Sequence, residues 1–201
     1  MKKMMVLCGL VLTAAAGVAQ ESRQDVSLSA TGVFSPVVNG NGVQSNASAT
    51  MGALLSYRYM LTPRSALELN YGFAQNTHYY HSSTLSPYVH TRQQEISGAY
   101  VFSMNFKNLN PFAELGVGGV IFSPLRDYGT STLDTKKNTN VGALFGAGVA
   151  YEVSPSFDIR LGYRGFLLKT PDFSIGGSPA VTRTNKYQIL SSPSIGVAYH
   201  F

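Results

Sequence analysis

An apolar residue at every second position, over long stretches, is the feature that most constrains this chain. A period of two belongs to a β-strand with two unlike faces, and beyond residue 20 no sustained 3.6-residue periodicity competes with it. Eight segments carry the alternation, over approximately 25–36, 47–61, 65–76, 88–105, 111–123, 139–153, 156–169 and 186–201. In the third, Leu67, Leu69, Tyr71 and Phe73 share one face, and Glu68, Asn70, Gly72 and Ala74 the other. In the sixth, Val141, Phe145, Val149, Tyr151 and Val153 oppose Gly142, Gly146, Gly148 and Glu152. The seventh sets Phe157, Ile159, Leu161 and Tyr163 against Asp158, Arg160, Gly162 and Arg164.

The connections alternate in length. Thr62-Pro63-Arg64, a segment around Lys107-Asn108, and Ser154-Pro155 are brief turns. VVNGNGVQSN, NTHYYHSSTLSP, PLRDYGTSTLDTKKN and a stretch around TPDFSIGGSPAVTRTN are long and polar. Short turns at one end and long loops at the other are the plan of an outer-membrane β-barrel, whose even strand number sends both termini to the periplasm.

The second face decides between a membrane barrel and a soluble one. It is built from Gly, Ala and Ser with few charges, and charged residues make up 12% of the chain, about half the usual share. Such a face suits the crowded interior of an eight-stranded barrel, which is wide enough only for side chains, and would make a strange water-exposed exterior. On the bulky face, Tyr57, Tyr59, Tyr100, Phe102, Tyr151, Phe157, Tyr199 and Phe201 gather near the short-turn ends, with aliphatic residues between. That distribution matches the aromatic girdles of a bilayer interface. The fold expected is therefore all-β, an eight-stranded antiparallel up-and-down transmembrane barrel. A closed barrel satisfies every backbone group inside lipid, which an open sheet cannot do.

Residues 1–19 read as a cleaved secretory signal: Lys2 and Lys3, an apolar run from Met4 to Ala16, and the small-x-small site Gly17-Val18-Ala19, with cleavage between Ala19 and Gln20. The barrel domain then occupies 20–201. Cys8, the only cysteine, leaves with the signal, so disulfides have no part. Thirteen Lys and Arg then remain against ten Asp and Glu, a small and scattered excess that gives no case for nucleic-acid binding.

The signal, the eight-segment pattern and the terminal Ile195-x-Val197-x-Tyr199-x-Phe201 together carry a resemblance. The chain resembles the small eight-stranded outer-membrane barrels of Gram-negative bacteria, the group of the OmpA transmembrane domain, OmpX and the opacity-type proteins. The resemblance covers essentially everything after the signal. It implies Sec export, delivery by periplasmic chaperones, and recognition of the terminal strand by the barrel assembly machinery. It also implies a monomer surrounded by outer-membrane lipid and lipopolysaccharide, without a cofactor. The pattern departs at Pro193, which predicts a bulge or a missing ladder bond there. Unlike full-length OmpA, no periplasmic peptidoglycan-binding domain is expected after the barrel.

Parity selects the charges that face inward: Arg58, Glu68, Glu95, Glu114, Glu152, Asp158, Arg160 and Arg164. A hairpin centred on Pro63 sets Arg58 opposite Glu68 inside, and Tyr57 opposite Leu69 and Leu55 opposite Tyr71 outside. For the sixth and seventh segments two registers are open, one opposing Glu152 to Asp158 and one opposing it to Arg160; electrostatics favours the second. Such a cluster plugs the lumen by charge-assisted hydrogen bonds, since unpaired buried charge is costly.

Other features compete less well. His78 and His81 lie in an expected loop with no third ligand near them. GALFGAG, residues 142–148, lacks the Gly-Lys-Ser/Thr of a phosphate loop and the apolar length of a membrane helix, and inward-facing small residues explain its spacing. Some barrels of this size act on lipid A, and His90 near Ser82, Ser83 or Glu95 is the least poor triad here. Aromatic and basic groups, Tyr79, Tyr80, Tyr128, Phe173, Lys136, Lys137, Arg183 and Lys186, gather in the long loops. The function expected is a non-enzymatic membrane-integrity or surface-display barrel with a polar plugged lumen. The alternatives are a narrow porin-like channel for small solutes and an adhesion or host-interaction module acting through the loops.

Overall fold

The computed structural model describes residues 23–82, 88–125, 137–173 and 183–201. The expected signal segment with its cleavage site between Ala19 and Gln20, together with Ser83, Tyr128 and Lys136, lies outside the described residues. The strands are β1 (Gln24–Val33), β2 (Val38–Gly40), β3 (Val43–Ala47), β4 (Thr50–Thr62), β5 (Ser65–Ser82), β6 (Tyr88–Ser103), β7 (Leu109–Leu125), β8 (Asn138–Ser154), β9 (Phe157–Lys169) and β10 (Tyr187–His200). Eight of them close a barrel. β1 pairs with β4, the strands from β4 to β10 pair in succession, and β10 returns to β1, every pair antiparallel.

The registers fix the shape. Crossing the ladders from Tyr199 passes through Val26, Tyr57, Leu69, Gly98, Val117, Ala143 and Leu167, and returns to β10 at Ile189, ten residues from the start. Eight strands with a shear of ten are inclined by ~43° to the barrel axis and leave a backbone radius of ~8 Å. The interior holds side chains and little else. Every residue on that walk belongs to the outer face, and Leu69, Val117, Ile195 and Val197 are more than half exposed. Inside, Ser27, Ser56, Arg58, Glu68, Asn70 and Glu114 are buried. Apolar outside and polar inside reverses the arrangement of a soluble barrel. Between Tyr199 and Ile189 an inclined strand climbs ~25 Å, the height of the apolar band of an outer-membrane barrel.

Three tight turns close one end. Thr62 and Ser65 face each other across Pro63-Arg64, Phe106 and Leu109 across Lys107-Asn108, and Ser154 and Phe157 across Pro155-Ser156. Lys107, with φ of 53°, takes the left-handed conformation its turn needs. The exposed aromatics Tyr57, Tyr59, Tyr100, Phe102, Tyr151, Phe157 and Phe201 ring this end.

The other end departs from the sequence expectation in two places. The expected first loop folds as a hairpin, β2 on β3, around Asn41 and Gly42. Their φ values of 52° and 72° define the type I′ turn that Asn-Gly favours. β3 continues the line of β4 along β5 after an interruption at Ser48-Ala49, where the Ser48 hydroxyl accepts from the Thr77 amide at 2.9 Å. The expected second loop, residues 76–87, is mostly strand: β5 runs on to Ser82, and its ladder with β6 reaches Tyr79–Tyr88.

The closing seam bears out one of the two outcomes predicted for Pro193. The β1–β10 ladder runs from Asp25–His200 to Thr31–Ser194 and resumes in the same register at Phe34–Ser191. The gap falls on Pro193, which has no N–H to give, and its carbonyl accepts from the Thr31 hydroxyl at 3.2 Å instead. No bulge forms, since Pro193 stands opposite Tyr163 in an unbroken β9–β10 ladder.

Candidate functional site: the barrel lumen

The inward faces of eight strands converge on a lumen with two unlike halves. The half nearer the short turns is ionic. Arg58 on β4 stands opposite Glu68 on β5, and its Nε and Nη2 donate to Glu68 Oε2 at 2.9 and 2.6 Å. The same guanidinium lies over the Phe112 ring, 5.2 Å from its centroid. Arg164 on β9 sits higher and reaches two carboxylates, Glu114 through Nε at 3.1 Å and Glu95 through Nη2 at 2.9 Å. Ser97 accepts a further bond from Arg164 Nη2 and donates to Glu95 at 2.8 Å. Charge-assisted bonds of this kind are the strong members of a polar network.

Arg160 makes a bidentate pair with Asp25, Nη1 to Oδ1 at 2.9 Å and Nη2 to Oδ2 at 2.8 Å. Asp158 lies 3.8 Å from Arg160 and shares a 2.8 Å hydrogen bond with His200 Nε2, while His200 Nδ1 stands 4.0 Å from Asp25. Asp25 and His200 join the eight charges that parity selects. The signal was present: in β1 the alternation of Asp25, Ser27, Ser29 and Thr31 with Val26, Leu28 and Ala30 puts Asp25 on the inner face. His200, the last residue of β10, shares the inner face with Ala198.

One member of the expected cluster stands apart. Glu152 faces Asp158, not Arg160, across a register shift between Glu152 and Ser154, so the electrostatically preferred register does not form. The tight turn and the outer pairs Tyr151–Ile159 and Val149–Leu161 set this register. Arg160 is committed to Asp25, while Asp158 shares a hydrogen bond with His200 and lies 3.8 Å from Arg160. Among the described residues Glu152 enters no ion pair and stays half-exposed at the mouth.

Glycine makes room for this layer. Gly146 stands opposite Glu114 and Gly148 opposite Phe112, and a Cβ at either position would run into the facing side chain.

The other half carries an apolar cluster among buried polar side chains such as Asn76, Thr91, Gln93 and Gln188, where a polar plug is expected throughout. Val33, Val120, Leu144, Phe166, Leu168 and Leu190 line it, capped by Tyr80, Phe122 and Phe173. His78 packs edge-on against Phe122 and Phe173, both at 5.9 Å, and Tyr80 donates to the Pro171 carbonyl at 3.1 Å. The sequence places His78 and Tyr80 in a loop, whereas they are inward-facing residues of β5. His81 points to the opposite face, because a spacing of three in a strand reverses direction. The two histidines therefore share no ligand site, and among the described residues no group of His, Cys, Asp and Glu gathers as a metal set. His90 lies on the outer parity, its Nδ1 sharing a 2.8 Å hydrogen bond with Thr77 Oγ1, while Glu95 faces the lumen, so these two do not meet; Ser83 and the Ser82 side chain lie outside the described residues.

Among the described residues, two of the cavities lie deep in the lumen. One of about 40 Å³ lies between the halves, bordered by Thr31, Gln93, Glu95, Val120 and Phe166. The second, about 30 Å³, lies in the ionic layer among Ser27, Ser29, Ser56, Glu68 and Glu114. Leu54 and Arg164 border both.

The terminal strand is held to its last residue. The Phe201 amide donates to the Gln24 carbonyl at 3.0 Å, and the Phe201 ring stacks on Tyr199 at 6.1 Å. Ile195 and Val197, the other positions of the expected assembly signal, face outward beside them.

A closed eight-stranded barrel with an apolar outside, a filled lumen and a girdle of aromatics is an integral outer-membrane barrel protein. The chain belongs to the family described as the outer membrane protein beta-barrel domain, which it matches over residues 4–201. No curated protein sequence matches it. Among solved structures it is similar to neisserial surface protein A, with a TM-score of 0.63 at 18% identity, covering 90% of this chain and 98% of that one. It is also similar to OprG of Pseudomonas aeruginosa, with a TM-score of 0.65 at 12% identity, covering 90% and 97%. AlkL, determined in lipid bilayers, gives a TM-score of 0.57 at 17% identity, covering 92% and 94%. At these identities the likeness is one of fold.

Proposed function

We propose that the protein is a non-conducting structural barrel of the outer membrane that displays its long connections on the cell surface, with its short turns and both termini in the periplasm. The observation that carries this reading is the double closure of the lumen: an ionic layer bonded across strands, then an apolar layer capped by Tyr80, Phe122 and Phe173. A solute would have to break both. In this reading the chain is a monomer, delivered by Sec and periplasmic chaperones and inserted by the barrel assembly machinery, which reads the strand ending in Phe201.

A narrow channel is the second reading, favoured by the two cavities that meet at Leu54 and Arg164. Planar-bilayer recording of the purified barrel separates the two. Wild type gives no stable nanosiemens-range openings under the first reading, and stable openings overturn it.

A further inference from the structure

Beyond the apolar band the wall of the barrel continues as a sheet with an outward face of its own. β2, β3, β5 and β6 lie side by side there, and two rows of outward side chains cross them. Asn46 on β3 stands opposite Tyr79 on β5, and Tyr79 opposite Tyr88 on β6. In the next row Asn39 on β2 stands opposite Gln44 on β3, and Gln44 opposite His81 on β5. These residues are exposed, Tyr79 by 40% and Tyr88 by 61%. The two tyrosine rings lie 6.5 Å apart at an angle of 41°. Behind them Val43, Tyr80 and Val89 of the same strands are buried in the apolar cluster, so the face has a packed backing. Tyr79 follows the lipid-facing Phe73 with Gln75 and Thr77 between them on the same face, which along an inclined strand places it ~15 Å past that residue. Beside the tyrosines lies a cavity of about 190 Å³, bordered by Ser48, Gln75, Thr77, His90 and Leu125 at the interruption between β3 and β4. His90 joins the two features, its ring meeting Tyr88 edge-on at 5.6 Å.

We infer that the Tyr79–Tyr88 pair, the amides of Asn46 and Gln44 and the adjoining cavity bind a neutral glycan chain from the medium. A sugar ring offers a flat face of C–H groups and a rim of hydroxyls. Tyrosine rings fit the first, and the second needs groups that both donate and accept, which Asn, Gln, Ser and Thr side chains supply. The cavity exceeds the ~150 Å³ that admits a benzene ring, so it takes one sugar of the chain while the next lies on the tyrosines. Charge excludes an anionic glycan. Among the described residues no Asp, Glu, Lys or Arg occupies the outward parity of β2, of β3 or of β5 beyond Phe73, and Arg92 on β6 is engaged with another group. A sulfate or carboxylate would lose water here without gaining a partner. Size excludes a protein. Rows ~7 Å apart on strands spaced by ~4.8 Å give a face on the order of 200 Å², against ~800 Å² per partner in a stable protein interface. The inference extends surface display to a ligand, and it rests on the reading that the long-connection end faces outward.

The test applies the folded barrel, in phospholipid nanodiscs, to a printed array of neutral, sialylated and sulfated oligosaccharides, and measures affinity in solution for the neutral chain best retained. Wild type is retained on neutral chains, with the same affinity at low and high salt. Tyr88→Ser lowers affinity about tenfold and Asn46→Ala about fivefold, while Tyr88→Phe, which keeps the ring, stays within about twofold of wild type. Tyr187→Ser, at an exposed tyrosine on β10, leaves affinity unchanged. Retention on no neutral chain overturns the inference, and so does stronger retention on sulfated or sialylated chains. An equal loss in Tyr187→Ser overturns it too, since the effect would then belong to exposed tyrosine in general. Undiminished binding to a glycoprotein stripped of its glycans overturns it in favour of a protein surface. Competition by lipopolysaccharide as effective as by the neutral chain overturns it in favour of the membrane's own glycolipid. Heat-modifiable gel mobility confirms that each variant is folded. Orientation is read separately, by labelling Asn41→Cys on intact cells with a membrane-impermeant maleimide. Labelling there supports outward display, and its failure overturns that reading whatever the nanodisc measurements give.

Discussion

Asp25→Ala removes both acceptors of the Arg160 guanidinium in one step. Asp25 is fully buried and the Arg160 side chain 8% exposed, so water cannot readily replace the lost carboxylate. The remaining neighbour, Asp158, is 3.8 Å away and already bonded to His200. Removing one partner of a buried pair costs ~3–5 kcal/mol, because the other is left as an uncompensated charge. With Asp158 still near, the expected cost is about 3 kcal/mol, roughly two orders of magnitude in the folded-to-unfolded ratio. The measurement is equilibrium urea unfolding in phospholipid vesicles, followed by heat-modifiable gel mobility. Arg160→Met and the double variant complete a cycle that isolates the pair. The double variant should be less destabilised than the two single changes added together, by about 2 kcal/mol or more. A cost for Asp25→Ala below about 1 kcal/mol, or one that is the same with and without Arg160, would refute the reasoning.

Gly148→Val should destabilise by about 1–3 kcal/mol, because the new side chain enters the space of the Phe112 ring directly opposite. Phe112→Ala in the same chain should recover part of that loss in the urea transition. Phe201→Ala should reduce the amount of barrel recovered in the outer-membrane fraction of cells while moving the unfolding midpoint of inserted barrels only slightly. The ring's stacking on Tyr199 is worth ~0.5–1.5 kcal/mol; a midpoint loss that accounts for the whole drop in yield would remove the case for an assembly address.

The lipid-facing half of the fold was legible because lipid demands one thing everywhere along it. Leu67 to Phe73 and Phe157 to Tyr163 could be assigned to the outside by parity alone, and the Pro63 hairpin pairs Arg58 with Glu68 as its turn length dictates. Above the apolar band the same alternation continues in polar and aromatic residues, so Asn76 to Ser82 read as a loop and formed a strand. The lumen was harder. Pairwise electrostatics on two neighbouring strands favoured Glu152 opposite Arg160, but Arg160 is taken by Asp25, a partner distant in sequence that neighbouring segments could not reveal. The apolar half escaped notice because Val33, Phe122 and Phe166 follow the same inward parity as the charges, and parity does not report height along the barrel.

The seam between the first and last strands has seven consecutive paired residues and one further bridge, against fifteen pairs between β5 and β6 and thirteen between β9 and β10. Pro193 makes that shortfall permanent. A cylinder with one thin join has a preferred line of parting, and here the line falls between the first and last strands of the chain. The Arg160–Asp25 pair lies across it from outside its own neighbours: Arg160 stands on β9 and Asp25 on β1, with β10 between them. Neither half of that clasp can find the other until β10 has docked on both sides. Its formation therefore marks the moment the sheet becomes a tube.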